Sequence, residues 1–262
     1  MDRLFDMALV RPPSNTYENC VSSNPHKSEI DLQLAREQHR TYVSVLREHG
    51  IKVLESSALE KYPDSVFMQD PAILGVKRSI IGRFGEPTRR GEEDAILEDL
   101  HQTGQVSAIH RIESPGTLEG GDVIITDMQR LFVGESSRSN ASGIHQLSVF
   151  LPNVTIVKVK TNLFHLLCGC SYLSKGTMII TPELVSPDHF PGFKFVKFDK
   201  KDAYASDALY VGNRAVLIPS GFPNASKKLV DGGYKPIEID LSEFYKGDGG
   251  VTCLCSPIYK LL

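Results

Sequence analysis

The residues with the greatest capacity for chemistry lie in Lys246-Gly-Asp-Gly-Gly-Val-Thr-Cys-Leu-Cys-Ser-Pro-Ile-Tyr259. A glycine-rich turn runs into a Val/Thr/Leu/Ile segment, and Cys253 stands three residues past Gly250, where a strand is predicted to begin. Gly249 and Gly250 let backbone come close to a ligand with no Cβ in the way. A thiol at such a mouth can be a nucleophile, and it can equally be a small buried hydrophobe. Cys255 lies two residues on, so strand alternation places it on the same face and deeper, as packing. Cys168 and Cys170 are read the same way. His165 offers an acid/base partner for a thiol; its plainer reading is a core histidine with its hydrogen bonds satisfied.

Asp70 and Glu119 are carboxylates in apolar surroundings, where an unpaired charge is costly. They require cationic partners, either structural ones or a cationic substrate. A planar guanidinium suits two carboxylates, because its forked donors bond them in fixed geometry. Arg89 and Arg138 fall in matching polar loops, and two converging arginines would fit a carboxylate. A loop arginine is otherwise simply solvated. Acids for a guanidinium, arginines for a carboxylate and a Cys/His pair together describe a site for an arginine-like amino acid.

These residues lie far apart in the sequence, so a repeated architecture has to bring them together. Ser65-Val-Phe-Met-Gln-Asp70 leads into Ala72-Ile-Leu, a turn and Ser79-Ile-Ile, then a loop with Arg89-Arg90 and a helix near 92–100. Gly116-Thr-Leu-Glu-Gly-Gly-Asp122 leads into Val123-Ile-Ile, a turn and Leu131-Phe-Val, then a loop with Arg138 and a helix near 141–150. Weaker copies start at Phe164 and Tyr204. The glycine-rich turn and Val251–Tyr259 start a fifth, completed by the strand ending at Pro12-Pro13 and by a helix that Ser28 caps and Gly50 ends. A last unit that borrows the first strand predicts a closed ring of five units, which leaves fewer sheet edges exposed. The periodicity predicts one domain over residues 1–262. Equivalent leading positions would converge on the ring axis: Asp70, the Glu119–Asp122 segment, His165, Asp207 and Cys253.

Composition bounds the alternatives. The 262 residues are 41% hydrophobic and 23% charged, with net charge −3 and no basic stripe. Those values describe an ordinary globular protein with no nucleic-acid partner. No apolar run approaches a membrane span, and MDRLFDMALV lacks the character of a signal peptide. Five cysteines without a signal peptide imply reduced thiols and a cytoplasmic location. The two pairs are Cys-x-Cys, unlike the Cys-x2-Cys of a zinc knuckle, so no metal site is expected.

The chain resembles the dimethylarginine dimethylaminohydrolases of the guanidino-group-modifying, or pentein, superfamily. The resemblance spans nearly the whole chain and rests on seven stretches in order: Val10-Arg-Pro-Pro13, Tyr62-Pro-Asp-Ser-Val-Phe-Met-Gln-Asp-Pro71, Arg89-Arg-Gly-Glu92, Pro115-Gly-Thr-Leu-Glu-Gly-Gly-Asp122, Val133-Gly-Glu-Ser-Ser-Arg-Ser-Asn140, Phe164-His-Leu166 and Asp248-Gly-Gly-Val-Thr-Cys253. It implies a five-bladed α/β propeller of pseudo-fivefold ββαβ repeats acting as one catalytic domain. It implies Cys253 as nucleophile, His165 as acid/base, and Asp70 and Glu119 on the guanidinium. Arg89 and Arg138 would hold the substrate carboxylate, Asp64 the α-amino group with help from backbone near Gly247, and Phe67 the alkyl stem. The implied reaction is hydrolysis of an Nω-methylated L-arginine to L-citrulline and an alkylamine. It would need neither metal nor organic cofactor, and a homodimer is the assembly the resemblance suggests.

Three features depart from the family pattern. Gln69 stands where close relatives usually have an acid. Leu167-Cys168 replaces a more polar pair. The Ser14–Ser23 loop, a candidate flap over the site, also differs. Arginine deiminase is the nearest other activity, but those enzymes usually carry a helical insert for which 91–114 leaves too little chain. A non-catalytic guanidino binder and a Cys-x-Cys redox or metal protein are alternatives of another class.

Overall fold

A computed structural model describes residues 2–103 and 108–262. Its strands fall into five units of the same plan. In each, a first strand pairs antiparallel with a second, and a third pairs parallel on the far side of the second. The units are β3 (Ala72–Gly75), β4 (Arg78–Ile81) and β5 (Ala108–Arg111); β6 (Val123–Ile125), β7 (Arg130–Glu135) and β8 (Thr155–Lys160); β9 (Cys170–Ser174), β10 (Thr177–Ile180) and β11 (Lys194–Lys197); and β12 (Leu209–Gly212), β13 (Ala215–Pro219) and β14 (Lys235–Ile239). The fifth takes β15 (Ser256–Tyr259) together with β1 (Phe5–Val10) and β2 (Lys52–Glu55). Phe5 lies opposite Tyr259 and Leu9 opposite Ser256, so strands from the two ends of the sequence close the ring. A parallel pairing of Ile258 with Leu74 merges the fifth unit with the first into one six-stranded sheet. The fold is a five-bladed α/β propeller, as the repeats predict.

Helices supply the parallel crossovers that such strand pairs require. They are α1 (Leu32–Glu48), α2 (Glu92–Thr103), α3 (Ala141–Phe150) and α4 (Pro223–Asp231). The third unit crosses over instead through a short 3₁₀ turn, Pro187–His189. In α1 the buried positions Ala35, Gln38, His39, Tyr42, Val43 and Leu46 recur at helical spacing and form one face. Its cap is Asp31, whose side chain accepts from the Gln33 and Leu34 amides. The predicted cap Ser28 lies earlier, in a separate 3₁₀ turn. Ile144 and Leu147 of α3 pack on Val123, Ile125, Leu131 and Val133, each such side chain contributing about 1.5–3 kcal/mol on burial. Four of the third strands are half-exposed and carry Lys, Glu or Pro, and β5 carries His and Arg, which blunts the outer edges against stray pairing. Among the described residues no helix is long and apolar enough to cross a membrane.

One detail of the plan matters most for the site. In every unit a short 3₁₀ turn precedes the first strand: Pro63–Val66, Gly120–Asp122, Leu166–Cys168, Lys200–Ser206 and Thr252–Leu254. Cys253 therefore sits on a turn, and strand β15 starts three residues later than predicted. Strand alternation consequently does not relate Cys253 to Cys255. The same holds for Cys168, which ends a turn, and Cys170, which opens β9.

Candidate active site

Three of the five turns, Pro63–Val66, Leu166–Cys168 and Thr252–Leu254, bring their own or flanking residues to one cavity. Asp64, Phe67, Asp70, Arg89, Arg138, His165 and Cys253 all line it. Cys253 is half-buried and every one of the other six is buried. Cys168 lines the cavity too, so its reading as plain packing is wrong. The five cysteines are all unpaired thiols.

His165 is fixed from two sides. Its Nε2–H donates to Glu119 Oε2 at 2.8 Å, and its Nδ1 lies 3.7 Å from Asp70 Oδ1. Burial works against the imidazolium, but Asp70 and Glu119 outweigh it and raise the pKa to about 9. The ring therefore rests as a cation. The following backbone amide, Leu166 N–H, donates to Asp122 Oδ1 at 3.0 Å, and Asp122 Oδ2 accepts from the Ser136 hydroxyl at 2.7 Å. Ser136 in turn accepts from the Arg138 and Ser139 amides. One buried carboxylate thus ties the His165 turn to the Arg138 loop, which gives Asp122 a structural role.

Glu119 departs from the expectation that it grips a guanidinium. Its exposure is 0% and it is not part of the cavity wall. One oxygen accepts from His165 and the other from the Gly85 amide at 2.8 Å. It acts on the site through the imidazole.

The two arginines also differ from each other. Arg89 forms a bidentate pair with Glu92 at 3.1 and 2.9 Å and donates to Asp70 Oδ2 at 2.7 Å, with its guanidinium over the Phe84 ring. Its Asp and Glu neighbours raise its pKa against the effect of burial. Glu92 was not singled out in the sequence, although its position three residues on from Arg89 is a helical ion-pair spacing. Arg138 rests over the Phe164 ring at 4.1 Å, and its buried Nη1 has no hydrogen-bond partner. Asp70 Oδ1 is likewise buried without one. Each has only a longer ion-pair contact, Asp70 Oδ1 with the His165 ring at 3.7 Å and Arg138 Nη1 with Glu119 Oε1 at 3.8 Å, so the site keeps one carboxylate oxygen and one guanidinium nitrogen with hydrogen-bonding capacity to spare.

The Ser14–Ser23 loop covers the site and is pinned at several points. The Val21 amide donates to both Asp64 oxygens at 3.1 Å, the Ser22 hydroxyl to the Lys246 carbonyl at 2.8 Å, and the Ser23 amide and hydroxyl to Asp248 Oδ2. Tyr17, wholly buried, donates to the Glu243 carbonyl. Gly247 and Asp248, just beyond the short helix α5 (Ser242–Lys246), complete the rim. Gln69 is turned away from the cavity and donates to the Gly120 carbonyl.

Asp207 had been placed only by its phase in the repeat, with no role attached. It lies behind Cys253, with Oδ2 3.6 Å from Sγ. Burial, Asp207 and Asp70 push the thiol well above its ordinary pKa. Asp70, Glu119 and His165 place potential ligand atoms within 4.8 Å of one another. That cluster could hold a metal ion only if the imidazole gave up the proton that now bonds it to Glu119.

Comparison with known proteins agrees with this geometry. Residues 10–185 match a family model described as N,N dimethylarginine dimethylhydrolase, eukaryotic. An N(G),N(G)-dimethylarginine dimethylaminohydrolase of Pseudomonas aeruginosa is 32% identical, over 96% of this chain and 98% of its own. An uncharacterized protein of Aeropyrum pernix is 37% identical over 100% and 98%. A solved structure of the Pseudomonas aeruginosa enzyme, a cysteine-to-serine mutant complexed with citrulline, superposes with a TM-score of 0.91 at 31% identity, covering 98% of this chain and all of that one. The N-terminal domain of a cyanobacterial arginine dihydrolase shares the fold, with a TM-score of 0.87 at 20% identity.

Proposed function

The chain belongs to the dimethylarginine dimethylaminohydrolase family, and from that premise we propose that it hydrolyses Nω-methylated L-arginine, asymmetric dimethylarginine or monomethylarginine, to L-citrulline and dimethylamine or methylamine. The observation that carries the reading is the pair of groups in the cavity with hydrogen-bonding capacity to spare. Asp70 Oδ1 and Arg138 Nη1 are ion-paired but make no hydrogen bond, and both residues line the cavity with the Cys253 thiol. A substrate with a guanidinium at one end and a carboxylate at the other satisfies both.

In this reading Asp70 orients the guanidinium, Arg138 takes the carboxylate, Phe67 packs along the alkyl stem and Asp64 meets the α-amino group. Arg89 keeps Asp70 ionised and aimed. Cys253 Sγ attacks the central carbon, and the substrate's own charge makes that carbon electrophilic. His165, already an imidazolium, protonates the departing amine. The neutral imidazole then takes a proton from water as it attacks the S-linked thiouronium, and the second tetrahedral adduct collapses to the ureido product. No cofactor enters these steps. Residues 1–262 work as one catalytic domain, in the cytoplasm and as a homodimer; fractionation and sedimentation test the last two.

The test is citrulline formation from asymmetric dimethylarginine, monomethylarginine and arginine side by side, with Cys253→Ser as control. Turnover of the methylated compounds that the variant lacks is expected. Turnover of arginine alone would make the protein a deiminase, and equal product from the variant would remove Cys253 from the chemistry.

A further inference from the structure

Attack by Cys253 requires somewhere for the thiol proton to go. His165 cannot receive it first, because the ring is bonded to Glu119, faces Asp70 and rests protonated. Spontaneous ionisation is suppressed by the burial and negative charge around the sulfur.

Asp207 stands at that proton. Its Oδ2 accepts from Cys253 Sγ at 3.6 Å, and its Oδ1 accepts from the Thr252 amide at 2.7 Å, which locks the carboxylate against the nucleophile's own turn. The side chain is 4% exposed. A Cβ on Gly250 would lie 2.3 Å from Oδ2, so the glycine is what allows the backbone to pass this close. The contact joins the leading turns of the fourth and fifth units, which follow one another around the ring. Burial pushes the Asp207 carboxyl up to about 6, where it can hold a proton transiently near neutrality.

We propose that Asp207 is a further catalytic residue, the base that takes the Cys253 thiol proton as the guanidinium cation arrives; this rests on the reading of Cys253 as nucleophile. The S–H bond breaks with its electron pair left on sulfur and its proton passed to Oδ2. That pair forms the bond to the guanidino carbon, whose π pair moves to nitrogen and cancels the substrate charge. His165 then protonates the amine as the C–N bond breaks. After water has added with loss of a proton to His165, the C–S bond breaks, the hydroxyl proton of the adduct passes to sulfur, and Asp207 releases its proton to solvent, where the free alkylamine takes it up.

Around Asp207 the other ionised group is Asp70. Cys168 and Cys255 stay neutral, their thiols pushed up to about 12 by burial, and the Tyr204 and Tyr42 phenols are raised well above their usual value. Asp122 under the His165 turn is also pushed up to about 6 by burial, and Glu92 on Arg89 to about 7, so a titration near pH 6 in the approach of Cys253 to an electrophile is assigned to Asp207 by its loss in Asp207→Asn.

The experiment uses the full chain and 2-chloroacetamidine, a cationic electrophile shaped like a guanidinium, with labelling of Cys253 followed by mass spectrometry. Asp207→Asn keeps an acceptor for the Thr252 amide but removes the base. Labelling is expected to fall by about 100-fold, while the far-ultraviolet absorbance of the Cys253 thiolate, corrected with Cys253→Ser, appears at lower pH than in the wild type. The two changes run in opposite senses, which simple damage to the site would not produce. Labelling that is unchanged or faster in the variant would make Asp207 only a charge that raises the thiol, and would overturn the proposal. The pH profile gives a second reading: wild-type labelling should fall off below pH about 6 and Asp207→Asn should lose that limb, and a wild-type rate flat through that region, or a limb that the variant keeps, would also overturn it. Citrulline formation is scored separately. Its absence with these labelling effects intact removes the proposed reaction and leaves Asp207 as the base, whereas its presence with unaltered labelling does the reverse.

Discussion

Glu119 and His165 share a hydrogen bond of 2.8 Å between two buried side chains that come from different units of the ring. The carboxylate stores a proton on the imidazole before substrate arrives. Replacing it with Glu119→Gln keeps the shape and removes the charge, so the His165 pKa should drop from about 9 toward the usual value near 6.5. We expect kcat to fall about 10–100-fold with KM little changed, and the alkaline limb of the kcat profile to move to lower pH. An alkaline limb that stays in place would remove Glu119 from control of the proton. The same bond is linked to stability. A histidine whose folded pKa is raised contributes stability that is complete below about pH 6.5 and is lost as pH rises through about 9. Melting temperature should therefore decline over that window, and more steeply in the wild type than in Glu119→Gln.

Arg138 and Arg89 should separate under mutation. Arg138→Ala removes the donor with capacity to spare and is expected to raise KM about 100-fold with a smaller effect on kcat, measured by steady-state citrulline assays. Arg89→Ala removes the cation that Glu92 and Asp70 share in a buried site, where burial already pushes the Glu92 carboxyl up to about 7. It should cost about 3–5 kcal/mol of stability, read by denaturant unfolding. An Arg89→Ala protein as stable as the wild type would show that the buried pair contributes nothing net.

Gly121 is the point at which a single methyl group would reach both halves of the site. A Cβ there would lie 2.6 Å from His165 Nδ1 and 2.7 Å from Asp70 Oδ1. Gly121→Ala should displace both by a few tenths of an ångström or more. A loss of about 100-fold in kcat/KM is expected from such misplacement, and comparing kcat/KM with the melting curve of the same variant distinguishes it from unfolding.

Asp248 holds the covering loop through the Ser23 amide and hydroxyl, at 2.6 and 2.9 Å. Asp248→Ala should leave Ser14–Ser23 more often open. Limited proteolysis should then cut within that loop sooner, and KM should rise by a few-fold. Unchanged cleavage would place the hold elsewhere, at Val21 and Ser22.

The hairpins of the ring were legible because their paired strands are short apolar runs bounded by Gly and polar turns, such as Val123–Ile125 with Leu131–Val133. The third strands were not, because Lys52–Glu55 and Thr155–Lys160 lie half-exposed at sheet edges and mix charge with Val and Leu. The converging residues could be read from their phase in the repeat. Their division of labour could not. Whether Glu119 meets substrate or His165 depends on a few ångströms of depth behind the cavity wall. Arg89 and Arg138 share one phase but differ in their neighbours, and Glu92 claims only the first. Cys168 reads as packing when Cys168-x-Cys170 is treated as one strand, whereas it ends a turn that opens on the cavity. The Asp207–Cys253 contact joins residues 46 positions apart in the turns of two neighbouring units, and no local pattern announces it.

Pairing of β1 with β15 ties the two ends of the sequence together, and the turn that carries Cys253 directly precedes β15. During synthesis the first strand must wait through nearly the whole chain for its partner, a long-range contact of the kind that slows folding. Cys253 and the closing strand emerge from the ribosome together. A nascent or interrupted chain therefore has blades and carboxylates without the Cys253 thiol, and the site gains that sulfur only as the strand that joins the fifth unit to the first is made.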